Sequence, residues 1–521
     1  MWRVKPLDAI LATAEKKSLV RSLGPIQLTL LGVGAILGTG IFVLTAAAAQ
    51  KAGPGMMWSF VIAGLVCATA ALCYAELASM VPVSGSAYTY TYAVMGEPIA
   101  WMVGWALILE YALGATTVAV GWSGYFVGLL QEVTGFQLPQ SLTAGPVWSM
   151  NGWMPVADFR HGFVNLPAIV ISLSVTLLLM VGTTESARVN AILVVIKIAA
   201  LAVFIALTLP KLQTGNFLPF APNGWFGPEG TSGMGIAGAA ASIFFAFVGF
   251  DAISTAAEET KNAQRNLPIG LVASLGICSV FYLLVAAGAI GAVGAQPVLG
   301  LDGHAVQPGS SGYAAACELA ENAQRLVCSN EALAHILRQI HWPIVGNLLG
   351  LAANLALPSV ILMMMYGQTR IFFSMSRDGL LPPGLAKIHR KYKTPYVVTL
   401  FTGISIALVA ALFPVGKLAD IANSGVLFAF FMVAIAVLAL RVKEPHRPRA
   451  FRMPLAWILA PVSAMSCAFL YWNLSYTAKM ALPIWGSIGL AVYLLYGVRK
   501  SRLGEQVADV ATQSTHVPLP P

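Results

Sequence analysis

The chain has 521 residues, 58% of them hydrophobic and only 10% charged, with a formal net charge of +9 and a mean hydropathy of +0.77. Soluble globular chains carry about 25% charged residues, so this composition excludes an ordinary soluble enzyme and points to a lipid bilayer. The excess of lysine and arginine gathers in loops of one parity, which accounts for the basic balance without a nucleic-acid partner.

Residues 1–25 are polar and basic, with no short apolar core followed by a small-residue cleavage site, so the first span is expected to serve as its own insertion signal. Twelve apolar runs follow, near 27–50, 56–80, 98–130, 165–182, 190–210, 233–257, 268–295, 343–375, 395–414, 418–441, 454–473 and 481–498. About 20 apolar residues span the hydrocarbon core as helix, so the sequence reads as an all-α membrane protein with twelve transmembrane helices. An even number of spans places both ends on one side. That side collects Lys16, Lys17 and Arg21, then Arg188, Lys261 and Arg265, then Arg370 to Lys393, Arg441 to Arg452 and Arg499 to Arg502. The other side holds only Lys51, Arg160, Lys211, Arg325, Arg338, Lys417 and Lys479. The positive-inside rule then predicts cytoplasmic termini in a multi-pass protein of the cell membrane.

The first run contains LGVGAILGTGIF, residues 31–42, with Gly32, Gly34, Gly38 and Gly40. The sixth contains FFAFVGFD, residues 244–251, with Gly249 and Asp251. Glycine costs roughly 1 kcal/mol relative to alanine in a helix, and a span opens at mid-membrane only where the freed backbone lines a cavity. Spans one to five and six to ten can be overlaid, each set opening on a glycine-broken span and holding a third span near 50 Å long. This predicts a five-plus-five inverted repeat over residues 26–441, with an external loop at 296–342. Spans eleven and twelve, within 442–498, are accessory, and residues 499–521 form a disordered cytoplasmic tail.

Loops 131–164 and 210–232 are rich in Gly, Pro and Trp, and both fall on the outer side. Loop 296–342 contains two helix-like runs, YAAACELAENAQRLVC and EALAHILRQIHW. Of six cysteines, four lie within spans, while Cys317 and Cys328 share that loop. An oxidising compartment and an even pair favour a disulfide between them, against two free thiols on a short helix.

Ionisable groups deep in spans read as functional. Glu110 lies in GWALILEYALG, Lys197 in VVIKIAAL, and Asp251 just after the sixth-run break. Lys197 could snorkel to the interface along its aliphatic stem, or it could exchange protons. Glu110 and Asp251 could be hydrogen-bonded structural acids or the acids of a charged pathway. Glu76, nearer the end of its span, reads as a gate-supporting acid. Gly34 and Gly38 fit tight helix packing through a small-xxx-small face. They equally fit a half-helix whose Thr39 and Gly40 amides meet a carboxylate, with carbonyls over 245–248 meeting an ammonium group. All seven histidines lie in loops or tails, so no intramembrane metal site is expected. There is no phosphate-binding GxxxxGK[ST], no cofactor is implied, and no catalytic cluster suggests an enzyme.

At these residues the sequence resembles the amino acid–polyamine–organocation superfamily, and within it the cationic amino acid transporter family and its bacterial homologues. The resemblance rests on GVGAILGTGIFV, CYAELASMVPVSGSAYTYTYAVMGEPIAW, GWALILEYALG, FFAFVGFDAISTAAEETKNAQRNLPIGL and MYGQTRIFFSMSRDGLLP. It implies the leucine-transporter fold. By position it also implies that Ile36, Gly38, Thr39 and Gly40 surround a substrate carboxylate. Phe245, Ala246 and Val248 would present carbonyls to its amine, and Glu110 and Asp251 would flank the pocket. Lys197 resembles the lysine that stands, in proton-coupled relatives, where sodium-coupled ones bind an ion. Met364 matches a position that is small in animal members and narrows the side-chain pocket.

The resulting expectation is a secondary active permease, not an enzyme, taking up a cationic or small neutral L-amino acid with a proton by alternating access. An amino acid exchanger without net proton coupling is the alternative in the same class. A receptor that binds amino acids without moving them is the alternative in another class.

Overall fold

The computed structural model describes residues 23–81, 85–151, 154–160, 162–181, 187–257, 260–300, 303–322, 324–392 and 394–503. The N-terminal basic segment through residue 22 and the tail from 504 lie outside the described residues. Helices account for most of the rest. They are α1 (Pro25–Ile36), α2 (Leu44–Ala52), α3 (Met56–Met80), α4 (Ser86–Val94), α5 (Glu97–Thr134), α6 (Leu166–Val181), α7 (Ala187–Thr208) and α8 (Gly235–Phe247). Then come α9 (Ala263–Val293), α10 (Ser311–Glu318), α11 (Ala332–Gln339), α12 (Pro343–Arg377), α13 (Tyr396–Leu412), α14 (Val415–Lys443), α15 (Ala456–Trp472) and α16 (Tyr476–Val492). Among the described residues, seven helices are long and apolar enough to cross a membrane, and five shorter apolar helices, α1, α6, α8, α13 and α15, lie over further apolar runs.

Burial separates a centre from a periphery. In the most apolar window of α5, 78% of residues are buried within the protein, against 28% for α7 and 17% for the last long helix. The helix α5 packs along α12 and α14, α3 packs along α8 and α9, and α1 lies against α9 and α7. Outside these, α13 packs on α6, and α15 and α16 pack on α14. Side chains such as Leu177, Leu408, Trp457 and Leu495 point outward, as a helix facing lipid requires.

One face gathers both described ends: Lys261 N donates to Leu23 O (2.9 Å) and Arg502 N to Asp378 O (3.1 Å). Near it Glu76 of α3 receives Arg441 Nη2 at 2.6 Å, Arg449 Nε at 3.1 Å and Met453 N at 2.8 Å. That buried carboxylate is fully used in joining α3 to the end of α14, as a supporting acid would be. The opposite face carries the three long loops. Ser232 donates to Leu474 O (3.0 Å), and Gln307 Nε2 donates to Ser232 O (2.6 Å).

Two features of the loops go beyond the sequence reading, while loop 296–342 does form short helices tied by Cys317 and Cys328. An antiparallel hairpin, β1 (Val147–Asn151) with β2 (Met154–Asp158), interrupts an otherwise helical chain. The Asn151-Gly152 dipeptide beside Val147 and Trp148 is the signal that could have found it. The run from Tyr313 to Cys328 is not one helix. It stops at Glu318 and resumes as a single tight turn at Leu326–Cys328, because Cys317 and Cys328 form a disulfide with Cα atoms 5.4 Å apart. An unbroken helix would hold these two residues about 16 Å apart.

Candidate functional site

The two glycine-bearing runs come apart and lie against each other. Helix α1 ends at Ile36. Leu37 then takes ψ 85°, and a four-residue helical turn, Thr39–Phe42, follows before α2. Helix α8 ends at Phe247. Val248 takes ψ 140°, Gly249 takes φ +116°, and the turn Ala252–Thr255 follows. A φ of that kind strains any residue with a β-carbon. A Cβ on Gly249 would also stand 3.0 Å from Ala35 O, and one on Gly40 would stand 2.2 Å from Ala246 Cα. Backbone therefore meets backbone between the two breaks, which explains glycine at both positions. Gly38 faces Val360 of α12, at 3.3 Å for the same construction. Thr39 opens the turn, and its side chain lies outside the described residues.

A tyrosine stitches the breaks together. Tyr282 OH of α9 is 2.8 Å from Ile36 O and 2.7 Å from Ala246 O. One hydroxyl proton serves one carbonyl at a time, so the other carbonyl keeps acceptor capacity toward a neighbour. Phe245 O accepts from Val248 N (3.2 Å), which closes the end of α8 with a tight turn. Asp251 is fully buried; its Oδ2 accepts from Tyr111 OH of α5 (2.8 Å) and its Oδ1 from Gly249 N (3.3 Å). That second bond satisfies an amide freed by the break.

Lys197 does not snorkel. It is 1% exposed, and its Nζ donates to Gly34 O at 2.9 Å and to Ser359 Oγ at 3.3 Å. The lysine thus links α7 to the last turn of α1 and to α12. Ser359 passes its own proton to Ala356 O (2.7 Å), so the hydroxyl is oriented to receive the lysine.

Glu110 is also buried, yet neither carboxylate oxygen has a hydrogen-bond partner among the described residues. It sits where α14 comes close to α5 at Gly425. One turn further along α5, Gly114 opens space for two other side chains: its built Cβ would lie 3.4 Å from Met364 Sδ and 3.9 Å from Phe245 Cε2. The arrangement gathers three things around the breaks. They are backbone groups at two helix ends, an apolar wall of Phe245 and Met364, and the buried ionisable side chains of Lys197, Asp251 and Glu110.

Sequence reading missed the groups that fasten these elements. Tyr282 is a lone phenol in an apolar run, and a buried phenol needs a partner; that need was the available signal. Lys51 was counted only as an outer cation. It is buried, its Nζ lies 2.8 Å from Asp420 Oδ2 of α14, and Ser242 of α8 bonds to both. The pair ties α2, α8 and α14 together on the loop face.

A family model described as an amino acid permease matches residues 23–498. The chain is 44% identical over 498 residues to the branched-chain amino acid permease BcaP of Bacillus subtilis, covering 96% of this chain and 97% of that protein. It is 37% identical to the methylthioribose transporter of the same organism, over 97% of this chain and 99% of that one. A vacuolar cationic amino acid transporter 2 of Arabidopsis thaliana is 35% identical, over 85% of this chain and 63% of that protein. These relatives are transporters rather than enzymes. The chain belongs to the amino acid permease family and is a multi-pass membrane protein of that family.

Proposed function

We propose that the chain is a proton-coupled permease that takes up a neutral α-amino acid with a small or branched side chain by alternating access. The single observation that carries this reading is the abutment of the two helix breaks, with Lys197 Nζ on Gly34 O beside them. Freed amides after α1 suit a carboxylate, and carbonyls at the end of α8 suit an ammonium group. Gly38, Thr39 and Gly40 take the first role; Phe245, Ala246 and Val248 take the second. Met364 and Phe245 bound the side chain, and an apolar wall favours an aliphatic substrate, in keeping with the 44% identical relative, a branched-chain amino acid permease.

Lys197 exchanges the proton. In its charged form the ammonium makes charge-assisted hydrogen bonds that hold α7 to α1; without the proton that hold weakens. Proton binding from one side and release to the other then bias the two arrangements of the broken helices. The twelve helices form a five-plus-five inverted repeat over 26–441, with the helices of 442–498 accessory. The loop face is external and the ends are cytoplasmic, as the distribution of lysine and arginine implies.

Glu110 favours a second reading. A buried carboxylate with no partner among the described residues suits a substrate carrying a positive side chain, and the Arabidopsis relative is named for cationic amino acids. Uptake into reconstituted vesicles decides between the two. The panel is leucine, valine, alanine, arginine, lysine and methylthioribose, under a pH gradient and then a sodium gradient. Branched or small neutral substrates driven by pH are expected. Sodium dependence contradicts the coupling, and preference for arginine contradicts the side-chain assignment.

A further inference from the structure

On the face that carries both ends, the last turn of the described chain reaches a buried carboxylate. Helix α16 gives way to a single wider turn, Tyr493–Gly497, and then to Val498–Lys500. Wide turns of this kind are rare and occur frequently at functional positions. Tyr493 OH donates to Glu97 Oε1 (3.0 Å), and Ser501 Oγ donates to Glu97 Oε2 (2.5 Å). Tyr92 OH of α4 gives Oε2 a second bond at 3.0 Å. Glu97, the first residue of α5, is 2% exposed, so its ionised carboxylate is held by three hydroxyls from α4 and the chain end. The same turn also grips the end of α12. Arg502 N donates to Asp378 O, and Gly379, at φ +82°, passes so near Lys500 O that no β-carbon fits there.

Helix α4 carries this grip inward. Tyr88 and Tyr92 lie four residues apart and so share a face, with ring centroids 5.8 Å apart. Tyr92 meets Glu97, and Tyr88 OH donates to Asp378 Oδ2 at 2.8 Å. Tyr90, two residues from each, points to the opposite face of the helix. There it meets Tyr74 of α3 edge-on at 6.2 Å, and Tyr74 packs on Phe250, at the break after α8 (5.8 Å), and on Phe430 of α14 (5.2 Å). All four rings are fully buried and form a dry layer between that break and the face with both ends.

We propose that the last turn of the chain is a strap on the inner side of the permease. Docked on Glu97 and on the Asp378–Gly379 corner, it holds α4 so that Tyr90 keeps the aromatic layer shut, and its release lets that side open. The proposal rests on the permease reading and on the face with both ends being cytoplasmic. Only the end of the last helix has to let go. Higher up, Trp105 Nε1 donates to Trp485 O (2.8 Å), Trp485 Nε1 to Trp105 O (2.7 Å) and Trp101 Nε1 to Gly489 O (2.9 Å), which fastens α16 to α5 along its length.

Ser254→Cys, in the fully buried turn after the α8 break, reports on the layer. The probe is a membrane-impermeant maleimide, applied to inside-out and to right-side-out vesicles of the full chain. The chain without Ser254→Cys gives the background from its own cysteines. Ser501→Asp sets a second carboxylate against Glu97 and is expected to raise labelling from the inner side about tenfold, with labelling from the outer side unchanged. Adding Glu97→Gln removes the repulsion and is expected to return labelling to within about twofold of the strapped chain. Ser501→Ala removes only a hydrogen bond and is expected to raise inner labelling about threefold; it decides the matter if Ser501→Asp yields no folded protein. Unchanged labelling in the Ser501 variants overturns the strap. A rise that Glu97→Gln does not reverse overturns Glu97 as its catch. A rise from both sides alike, the mark of a loosened fold, overturns control of the inner side. Labelling needs no substrate, so a wild-type chain that moves no amino acid overturns the permease reading while the labelling still decides the strap.

Discussion

Gly40 approaches Ala246 so closely that a β-carbon on Gly40 would lie 2.2 Å from the Ala246 Cα. The first broken helix and the sixth-run break are therefore in backbone contact, and no flexible side chain lies between them to give way. Gly40→Ala is expected to push the breaks apart, at a cost of about 1–3 kcal/mol for overpacking, and to reduce uptake about tenfold or more. Vesicle uptake, normalised to folded protein by size-exclusion chromatography, measures it. Wild-type uptake in this variant would mean that the two breaks separate freely.

Gly249 imposes a different constraint, since its φ of +116° and its approach to Ala35 O both exclude a side chain. Gly249→Ala is expected to cost about 1–3 kcal/mol in backbone strain and to lower both the melting temperature and the uptake rate. A melting temperature equal to wild type shows that the backbone at 248–250 can relax.

The segments bearing this contact were legible in the sequence, because glycines cluster in two apolar runs at a cost to helix stability, although tight helix packing accounted for them equally well there. Lys197, Glu110 and Asp251 were legible for a related reason: ionisable side chains in apolar runs stand out. Their partners were not. Gly34 O and Ser359 reach Lys197, and Tyr111 reaches Asp251, across 140 or more residues of sequence, and no local pattern encodes such pairings. The same holds for Lys51 and Asp420, which are 369 positions apart. The break in the helix-like run at 313–328 was hidden because helical periodicity continues through a segment that the disulfide folds back.

Lys51 and Asp420 give a prediction on stability. Both are buried, and Ser242 bonds to each. Lys51→Met leaves a buried carboxylate without its cation, so a loss of about 3–5 kcal/mol is expected, whereas Lys51→Met/Asp420→Leu removes both charges and should recover most of it. Melting curves of the three proteins in detergent check this. A double variant as unstable as the single one would show that the charges are not energetically paired.

Lys197 is predicted to couple the proton rather than to hold the fold. Lys197→Ala removes the bonds to Gly34 O and Ser359 Oγ and leaves no titratable group in their place. Exchange of internal for external substrate should continue, while stimulation of uptake by an acidic exterior should vanish. Comparing exchange with pH-driven net uptake in the same vesicles separates the two. Full pH-driven uptake in Lys197→Ala moves the coupling to another acid, with Glu110 the first to examine.

The side-chain wall yields the last prediction. Met364 Sδ approaches Gly114 while Phe245 stands on the other side, so the methionine fills space that a longer substrate needs. Met364→Ser shortens the wall by several atoms and adds a hydroxyl. Gly114→Val fills the same space from α5. Met364→Ser is expected to admit arginine and lysine at least about tenfold better than wild type, with leucine weakened by about 1–3 kcal/mol, as loss of apolar contact in a pocket dictates. Gly114→Val should weaken leucine more than alanine. Competition by each amino acid against labelled alanine uptake reads both variants on one scale. If Met364→Ser leaves the order of preference unchanged, the side chain of the substrate does not point between α5 and α12. Its pocket then lies toward Glu110 instead, which is the arrangement a cationic substrate calls for.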